Sequence, residues 1–159
     1  MTQEEKIQQD LIAKFADIKD TQIIKRDRRM FLDVPQEKFS EIFRYLVKDM
    51  QFSFLSAITG MDEGNSIAVI YHLTREGRII LSLRIRTSRD NPVIETVTDY
   101  FPSADAYERE LMDLLGVQVE GLADGHRYPL PDVWPRRDYP LRKDWKPPVY
   151  KPKEEVPNA

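Results

Sequence analysis

Three runs of β-forming residues follow one another in residues 52–87, FSFLSAITGMDEGNSIAVIYHLTREGRIILSLRIRT, and this stretch decides the fold. Residues 52–59 are mostly apolar, and residues 66–73 are rich in β-forming side chains. In residues 78–87 apolar side chains alternate with polar and charged ones, which is the period of a strand with one buried face. The separators 60–64 and 75–77 contain glycine and are typical of hairpins. The stretch therefore predicts three consecutive antiparallel strands.

Helical periodicity precedes these strands. Apolar residues recur at helical spacing in residues 7–18 and, more strongly, in residues 39–50. Between them we expect two short strands, 22–25 and 30–34, with Pro35 at a first helical position. The order of elements predicts an α+β fold in which helices pack on one face of a mostly antiparallel sheet and the other face is charged.

A last helix is predicted from Ser103 or Ala104 to Leu115. Ser103 is an acceptable N-cap, and Gly116 stands where a left-handed residue ends a helix. The buried stripe of this helix is expected to consist of Tyr107, Leu111, Leu114 and Leu115.

Proline divides the chain into two parts. Eight of the eleven prolines lie between Pro129 and Pro157, and proline resists both helices and central strands. We therefore expect a compact domain over residues 1–120 and an extended Pro-rich C-terminal arm over residues 121–159. Residues 151–159 have almost no apolar content and predict a tail that is mobile when alone. The middle of the arm carries large apolar groups, including Trp134 and Trp145, so it needs a surface to lie on.

Composition excludes several classes of site. The 159 residues include no cysteine and two histidines, so disulfides, cysteine-ligated metals and catalytic thiols are excluded. The formal charge of −3 argues against a nucleic-acid-binding protein. No apolar run is long enough to span a bilayer, and the polar start lacks the features of a targeting peptide. We expect a soluble protein in a reducing, cytoplasmic compartment.

The titratable residues form three candidate sites. Glu110 and Asp113 share a helical face and suit acid–base work, although Arg109 and Asp113 are also spaced to pair on a solvated face. A row of arginines in and beside the strand at 78–87 suits anion or RNA binding, or a protein-docking face. His126 and His72 fit a surface and a sheet-face position better than a metal site. No phosphate-binding loop or nucleophile motif is present, so an interaction subunit is the physical interpretation.

Two segments resemble a known family. Tyr107-Glu-Arg-Glu-Leu-Met-Asp-Leu-Leu-Gly116 resembles the signature of the thirty-kilodalton subunit family of respiratory NADH dehydrogenase (complex I), and Pro140-Leu-Arg-Lys-Asp-Trp145 resembles its closing motif. Gly121, Asp124 and Arg127 also stand at family positions. The respiratory version has His-Pro where this chain has Leu122-Ala123, and an arginine pair where it has His126-Arg127. The segment Leu-Pro-Asp-x-Trp-Pro at 130–135 looks more like the homologous subunit of membrane-bound, energy-converting [NiFe] hydrogenases.

The resemblance implies a cofactor-free structural subunit in the hydrophilic arm of such a complex, peripheral to the cell membrane on its cytoplasmic side. Its implied partners are a large subunit of the hydrogenase-large-subunit (quinone-chamber) type and a small iron–sulfur subunit. These partners would carry the iron–sulfur clusters and, in the hydrogenase version, a NiFe centre. The membrane arm would be contacted only indirectly, and nucleic acid would not be bound. The thirty-kilodalton subunit of a respiratory NADH:quinone oxidoreductase is the alternative.

The resemblance also implies roles for individual residues. Arg142 and Lys143 would pair with carboxylates of the large subunit, and Trp134 and Trp145 would be apolar anchors on it. The charged group on the last helix would hold that helix against the arm or the partner; it consists of Glu108, Arg109, Glu110 and Asp113. The remaining interface positions of the family motif are Gly116, Arg127, Pro140, Leu141 and Asp144.

Overall fold

The computed structural model describes residues 1–148, which form three α-helices, a five-stranded sheet and a two-stranded sheet. Short 3₁₀ turns at Ala16–Thr21 and Gln36–Lys38 lead into β1 and α2. In chain order the elements are α1 (Gln3–Lys14), β1 (Gln22–Arg26), β2 (Arg29–Asp33), α2 (Phe39–Lys48), β3 (Phe54–Asp62), β4 (Ser66–Arg75), β5 (Ile79–Ser88), β6 (Val93–Glu95), α3 (Ala104–Leu115) and β7 (Gln118–Glu120).

The large sheet has the strand order β1-β2-β5-β4-β3. Its centre is the long hairpin of β4 and β5, which pair in continuous antiparallel register from Ser66 opposite Ser88 to Arg75 opposite Ile79. The β3–β4 and β1–β2 pairs are also antiparallel, whereas β2 runs parallel to β5. The mostly antiparallel α+β prediction is confirmed. The parallel pair arises because α2, β3 and β4 intervene between β2 and β5, a connection long enough for a crossover.

All three helices bury their apolar sides in a single core on one face of the sheet. In β4, Tyr71 is fully buried, and its ring centroid lies 4.8 Å from that of Phe39 and 5.5 Å from that of Phe43 in α2. On the same face Gly60 of β3 lies under α3, where an added Cβ would come within 2.4 Å of the side chains of Leu111 and Leu115. Glycine is needed here because it lets the helix approach the strand closely.

The opposite face of the sheet carries charges that are mostly paired with one another. Arg84 forms an ion pair with Asp33 and lies over the ring of Phe31 at 4.9 Å. Arg86 pairs with Glu63 at 2.6 Å. His72 is half-buried between Thr59 and Ser82, and burial lowers its pKa. The predicted charged face is present, and His72 is the sheet-face residue that was expected.

Two local predictions need correction. The first helix ends at Lys14 instead of continuing to Ile18, although Phe15 and Ile18 still reach the core from the following 3₁₀ turn. Ser103 stands at the N-cap position of α3, but its backbone is helical and its side chain makes no capping hydrogen bond.

The parallel pair of β6 and β7 was not predicted, because three-residue strands leave almost no periodic signal.

Residues 121–148 form neither helix nor strand and lie against the C-terminal half of α3 and the end of β3. The prediction of a mobile tail at residues 151–159 lies outside the described residues. Among residues 1–148, no helix has the length and apolar character needed to cross a membrane.

Candidate functional site

Two of the four charged motif residues of α3, Arg109 and Asp113, contact the segment that follows the helix. Glu108 points the other way, into the protein, and is completely buried. Its two carboxylate oxygens accept hydrogen bonds from the backbone N–H of Val97 at 2.7 Å and from the hydroxyl of Thr96 at 2.6 Å. Burial raises the pKa of Glu108, and these two donors oppose that effect. Glu108 therefore ties α3 to the loop after β6.

Arg109 joins two turns of chain on the outer side of the helix. Its guanidinium makes two hydrogen bonds of 2.9 Å to the carboxylate of Asp105, one turn earlier, and donates a third, of 2.8 Å, to the carbonyl of Ala123. Gly125 lies flat against the guanidinium, where a Cβ would approach Nη2 to 2.5 Å. The pairing of Arg109 with Asp113 that their spacing allows does not form, because Arg109 pairs with Asp105 and Asp113 pairs with Arg127.

Asp113 binds the segment after the helix. Its Oδ1 accepts from Nε of Arg127 at 2.8 Å, and its Oδ2 accepts from the backbone N–H of Leu130 at 3.0 Å. Arg127 also donates to the carbonyl of Trp134 at 2.7 Å. Since both oxygens of Asp113 are engaged and its side chain is 12% exposed, the carboxylate is poorly placed to exchange a proton with a substrate.

The segment at residues 139–142 covers the end of α3. Gly116 has φ +76°, so it ends the helix in the left-handed conformation that was predicted. The ring of Tyr139 lies against Gly116, and the guanidinium of Arg142 lies 5.0 Å from the centre of that ring. Arg142 Nε donates to the carbonyl of Leu115 at 2.8 Å, and the backbone N–H of Leu141 donates to the carbonyl of Leu114 at 3.0 Å. The segment thus satisfies carbonyls that a free helix end leaves without partners.

A second attachment lies at the end of β3. Asp62 is buried and accepts hydrogen bonds from Arg89 at 3.0 Å, from the N–H of Gly64 at 2.8 Å and from the N–H of Lys143 at 2.9 Å. Arg89 also pairs with Asp144 at 2.8 Å. The Arg89 guanidinium, foremost among these donors, holds the pKa of the Asp62 carboxyl well below its usual range. The role of Asp62 as an attachment point was not predicted. Its only local signal is its position two residues before the turn residue Gly64.

The two tryptophans pack against each other. The rings of Trp134 and Trp145 stack with centroids 6.2 Å apart. Both indole N–H groups donate to Asp138, that of Trp134 to the backbone carbonyl at 2.9 Å and that of Trp145 to the carboxylate at 2.6 Å. Pro140, partly buried, leads from this pair to Leu141, which is 53% exposed.

A cleft of about 720 Å³ opens between α3 and residues 125–139. Arg109 and Asp113 line its helix side, and Arg127, Arg136 and Arg137 line the other. His126 is exposed at its edge. Glu110 lies elsewhere, beside an apolar groove between α3 and β3. Within residues 1–148 no three or more His, Cys, Asp or Glu side chains are placed to hold a metal ion.

These features define a small α+β protein in which a charged motif on the last helix binds the chain's own C-terminal segment. The family model described as "Respiratory-chain NADH dehydrogenase, 30 Kd subunit" matches residues 32–151. The chain therefore belongs to the 30-kDa subunit family of respiratory-chain NADH dehydrogenase.

Individual relatives come from more than one kind of complex. The chain is 38% identical over 119 residues to the C/D subunit of the NADH-quinone oxidoreductase of Phocaeicola vulgatus, a match of 72% of this chain and 22% of that protein. This chain therefore corresponds to about a fifth of the length of that relative. It is 29% identical over 135 residues to the membrane-bound hydrogenase subunit beta of Pyrococcus furiosus, a match of 82% of this chain and 76% of that one.

The structural comparison agrees with the sequence comparison. The fold matches a chain of the membrane-bound sulfane sulfur reductase, an archaeal respiratory membrane complex, with a TM-score of 0.80 and 28% identity. The match covers 91% of this chain and 86% of the other. Proteins similar to this chain are thus subunits of membrane-bound oxidoreductase complexes.

Proposed function

We propose that this chain is a non-catalytic subunit of a membrane-bound oxidoreductase complex of the energy-converting [NiFe] hydrogenase type. In this proposal it binds no cofactor and supports the catalytic large subunit and the small iron–sulfur subunit. It stays peripheral to the cell membrane, on the cytoplasmic side, through these partners. The observation that carries the proposal is the closing motif at residues 140–145, which is anchored to α3 and β3 by Arg142 and Lys143.

The geometry supports a binding role better than the two other classes. An acid–base enzyme would need Glu110 and Asp113 to act together. Asp113 is not free to do so, because its carboxylate is bound by Arg127 and by the backbone N–H of Leu130. For an RNA- or anion-binding module, the arginine row is largely neutralised, since Arg84, Arg86 and Arg89 each pair with a carboxylate. By contrast, the exposed apolar side chains of the C-terminal segment suit a protein contact; they include Tyr128, Val133 and Leu141.

The thirty-kilodalton subunit of a respiratory NADH:quinone oxidoreductase is the second candidate, and the identity to the Phocaeicola vulgatus protein favours it. The segment Leu130-Pro-Asp-Val-Trp-Pro135 favours the hydrogenase type instead. The two candidates predict the same kind of contact but different large subunits.

Affinity isolation from native membranes tests the proposal. A tag is placed at Met1, which is 82% exposed, and the co-purifying proteins are identified by mass spectrometry and analysed for nickel and iron. A large subunit with two Cys-x-x-Cys pairs, together with nickel, supports the hydrogenase type. A homologous large subunit without those cysteines, beside flavin and quinone subunits, supports the respiratory type. Recovery of the chain alone as a monodisperse monomer contradicts both.

A further inference from the structure

The cleft between α3 and residues 125–139 has more positive than negative groups. Four guanidinium groups line it, those of Arg109, Arg127, Arg136 and Arg137, whereas its carboxylates are those of Asp113 and Asp132. This surplus occurs in a chain whose formal charge is −3. The charges are thus distributed unevenly, with positive charge gathered in this concave surface.

The four arginines differ in how they are used within the chain. Arg109 and Arg127 are each held by an aspartate of α3, Asp105 and Asp113 respectively. The side chains of Arg136 and Arg137 are exposed and make no ion pair or hydrogen bond with any of residues 1–148. Within residues 1–148, therefore, two guanidinium groups at the cleft have no carboxylate partner, and a guanidinium binds an external carboxylate through two parallel hydrogen bonds.

The backbone holds this pair of arginines in a defined place. Trp134, just before them, is fixed by its hydrogen bonds to Arg127 and Asp138, and its ring stacks on Trp145. Arg137 itself has φ +63°, a left-handed conformation that is unfavourable for a residue with a side chain. Such conformations persist where the surrounding structure over-determines them, and they cluster at ligand clamps.

Arg137 also borders a second cleft, of about 440 Å³, on the other side of the segment. Arg142 and Lys146 lie in this second cleft. Of its two carboxylates, Asp144 pairs with Arg89, whereas Asp138 accepts the neutral indole N–H of Trp145 and keeps its charge, so three cationic groups face one carboxylate without an ion-pair partner among the described residues. The basic surface therefore continues across Arg137 from one cleft into the other.

We propose that the cleft at Arg136 and Arg137 receives an acidic segment, rich in Asp and Glu, of a partner subunit. The inference rests on the proposed function, because it names the chemistry of the contact within the complex. Charge complementarity supports it: a concave surface with two unengaged guanidinium groups favours carboxylates and disfavours basic segments.

The test uses the complex in native membranes. A photo-cross-linking amino acid replaces Arg137 in one tagged variant and Arg26 in a control variant, and cross-linked peptides are identified by mass spectrometry. Arg26 is exposed on β1, at the opposite edge of the sheet from β3 and α3. A cross-link from position 137 to an acidic partner segment, absent at position 26, supports the proposal.

Charge reversal provides a second measurement. The R136E/R137E variant is expected to lower recovery of the partner subunits by about tenfold or more at low salt, and this loss shrinks as ionic strength rises because salt screens the charges. The control variant K25E/R26E makes the same change of charge at an exposed site on β1 and is expected to leave recovery unchanged. Far-UV circular dichroism of both variants tests whether they fold. Reversing the acids of the cross-linked partner segment to arginine is expected to restore recovery with R136E/R137E.

Three outcomes overturn the proposal. One is recovery of the whole complex with no cross-link from position 137 to a partner. Another is a cross-link to a partner segment without acidic residues, or to residues 149–159 of the chain itself. In both of these the proposed function survives. If no partner co-purifies with any variant, the proposed function fails as well, and the two failures are thereby distinguished.

Discussion

The ring of Tyr139 lies where a side chain on Gly116 would have to go. A Cβ at Gly116 would lie 2.5 Å from both Cε2 and Cζ of that ring. Gly116 therefore has two functions: its φ of +76° ends α3, and its bare backbone admits the tyrosine that begins the covering segment. Arg142 lies over the same ring, 5.0 Å from its centre, and donates to the last carbonyl of the helix, that of Leu115.

Replacing Gly116 by alanine is expected to cost more than backbone strain alone. The left-handed conformation costs about 1–2 kcal/mol for a residue with a Cβ, and the overlap with Tyr139 adds about 1–3 kcal/mol. Gly77→Ala is the matched control, since Gly77 has φ +64° and nothing within 4 Å of its added Cβ. The free energy of unfolding in urea measures both variants. Equal losses for G116A and G77A would contradict the role assigned to Tyr139.

Glu108→Ala is expected to destabilise the protein by about 2–4 kcal/mol, because it leaves the backbone N–H of Val97 and the hydroxyl of Thr96 without their acceptor. Glu108→Gln keeps the shape and an acceptor, and is expected to cost less. Burial raises the pKa of Glu108 in the folded protein, so the stability linked to its protonation is present below the ordinary pKa of about 4.3 and is lost as pH rises through the folded value. In thermal unfolding, the stability of E108Q relative to the wild type should therefore increase as pH rises above the ordinary pKa of about 4.3. A difference that does not change with pH would exclude this titration.

Asp62→Asn tests the attachment of residues 143 and 144 to β3. The folded protein lowers the pKa of Asp62, so its ionised form contributes stability above the ordinary pKa of about 3.9, and this contribution is lost as pH falls below that value. At pH 7 the free energy of unfolding of the wild type should exceed that of D62N by about 2 kcal/mol or more, and the two values should converge in acid. Asp132→Asn, at an exposed residue, is the control and is expected to follow the wild type. If the free energies of unfolding of D62N and the wild type changed with pH in the same way, the ionised Asp62 carboxylate would not be the group that stabilises this attachment.

Arg142→Glu is expected to release the chain from its complex while leaving it folded. Loss of the hydrogen bond to Leu115 and of the stacking on Tyr139 costs about 1–2 kcal/mol, well below the stability of a typical domain. Co-purification from membranes measures release, and circular dichroism measures folding. Lys25→Glu, on the exposed part of β1, is the control for added negative charge. Unchanged co-purification of R142E would remove Arg142 from the partner interface.

Much of the fold was predictable because its signals are local. The alternation in residues 78–87 indicated the face of β5 that is buried, and the helical spacing in residues 39–50 indicated the buried side of α2. Gly116 was predictable as a helix end because left-handed backbone favours glycine. The parallel pairing of β2 with β5 was not predictable in this way, since two strands 46 or more residues apart can meet in either direction with the same local pattern.

The partners of the motif charges were the hardest part to predict. By spacing alone, Arg109 could pair with Asp113. In the structure Arg109 pairs with Asp105, and Asp113 pairs with Arg127. Helical spacing places Glu108 on the same face as Leu111 and Leu115, but spacing alone does not show which donors satisfy a carboxylate on that buried face. The burial of Glu108 follows from the rotation of α3 on β3, which is set by Leu111 and Leu115 packing against Gly60.

By itself, therefore, the sequence determined the long elements of this protein, the buried faces of α2 and β5, and the family that its motifs resemble. These follow from side-chain periodicity and backbone preference, which act over a few residues. The tertiary structure alone decided that residues 139–144 cover the end of α3 and reach Asp62, 81 residues before Lys143. It also decided which arginines form ion pairs within the chain, and that Arg136 and Arg137 are exposed at the cleft. Those choices depend on distances between segments far apart in the chain, and such distances exist only once the core has packed.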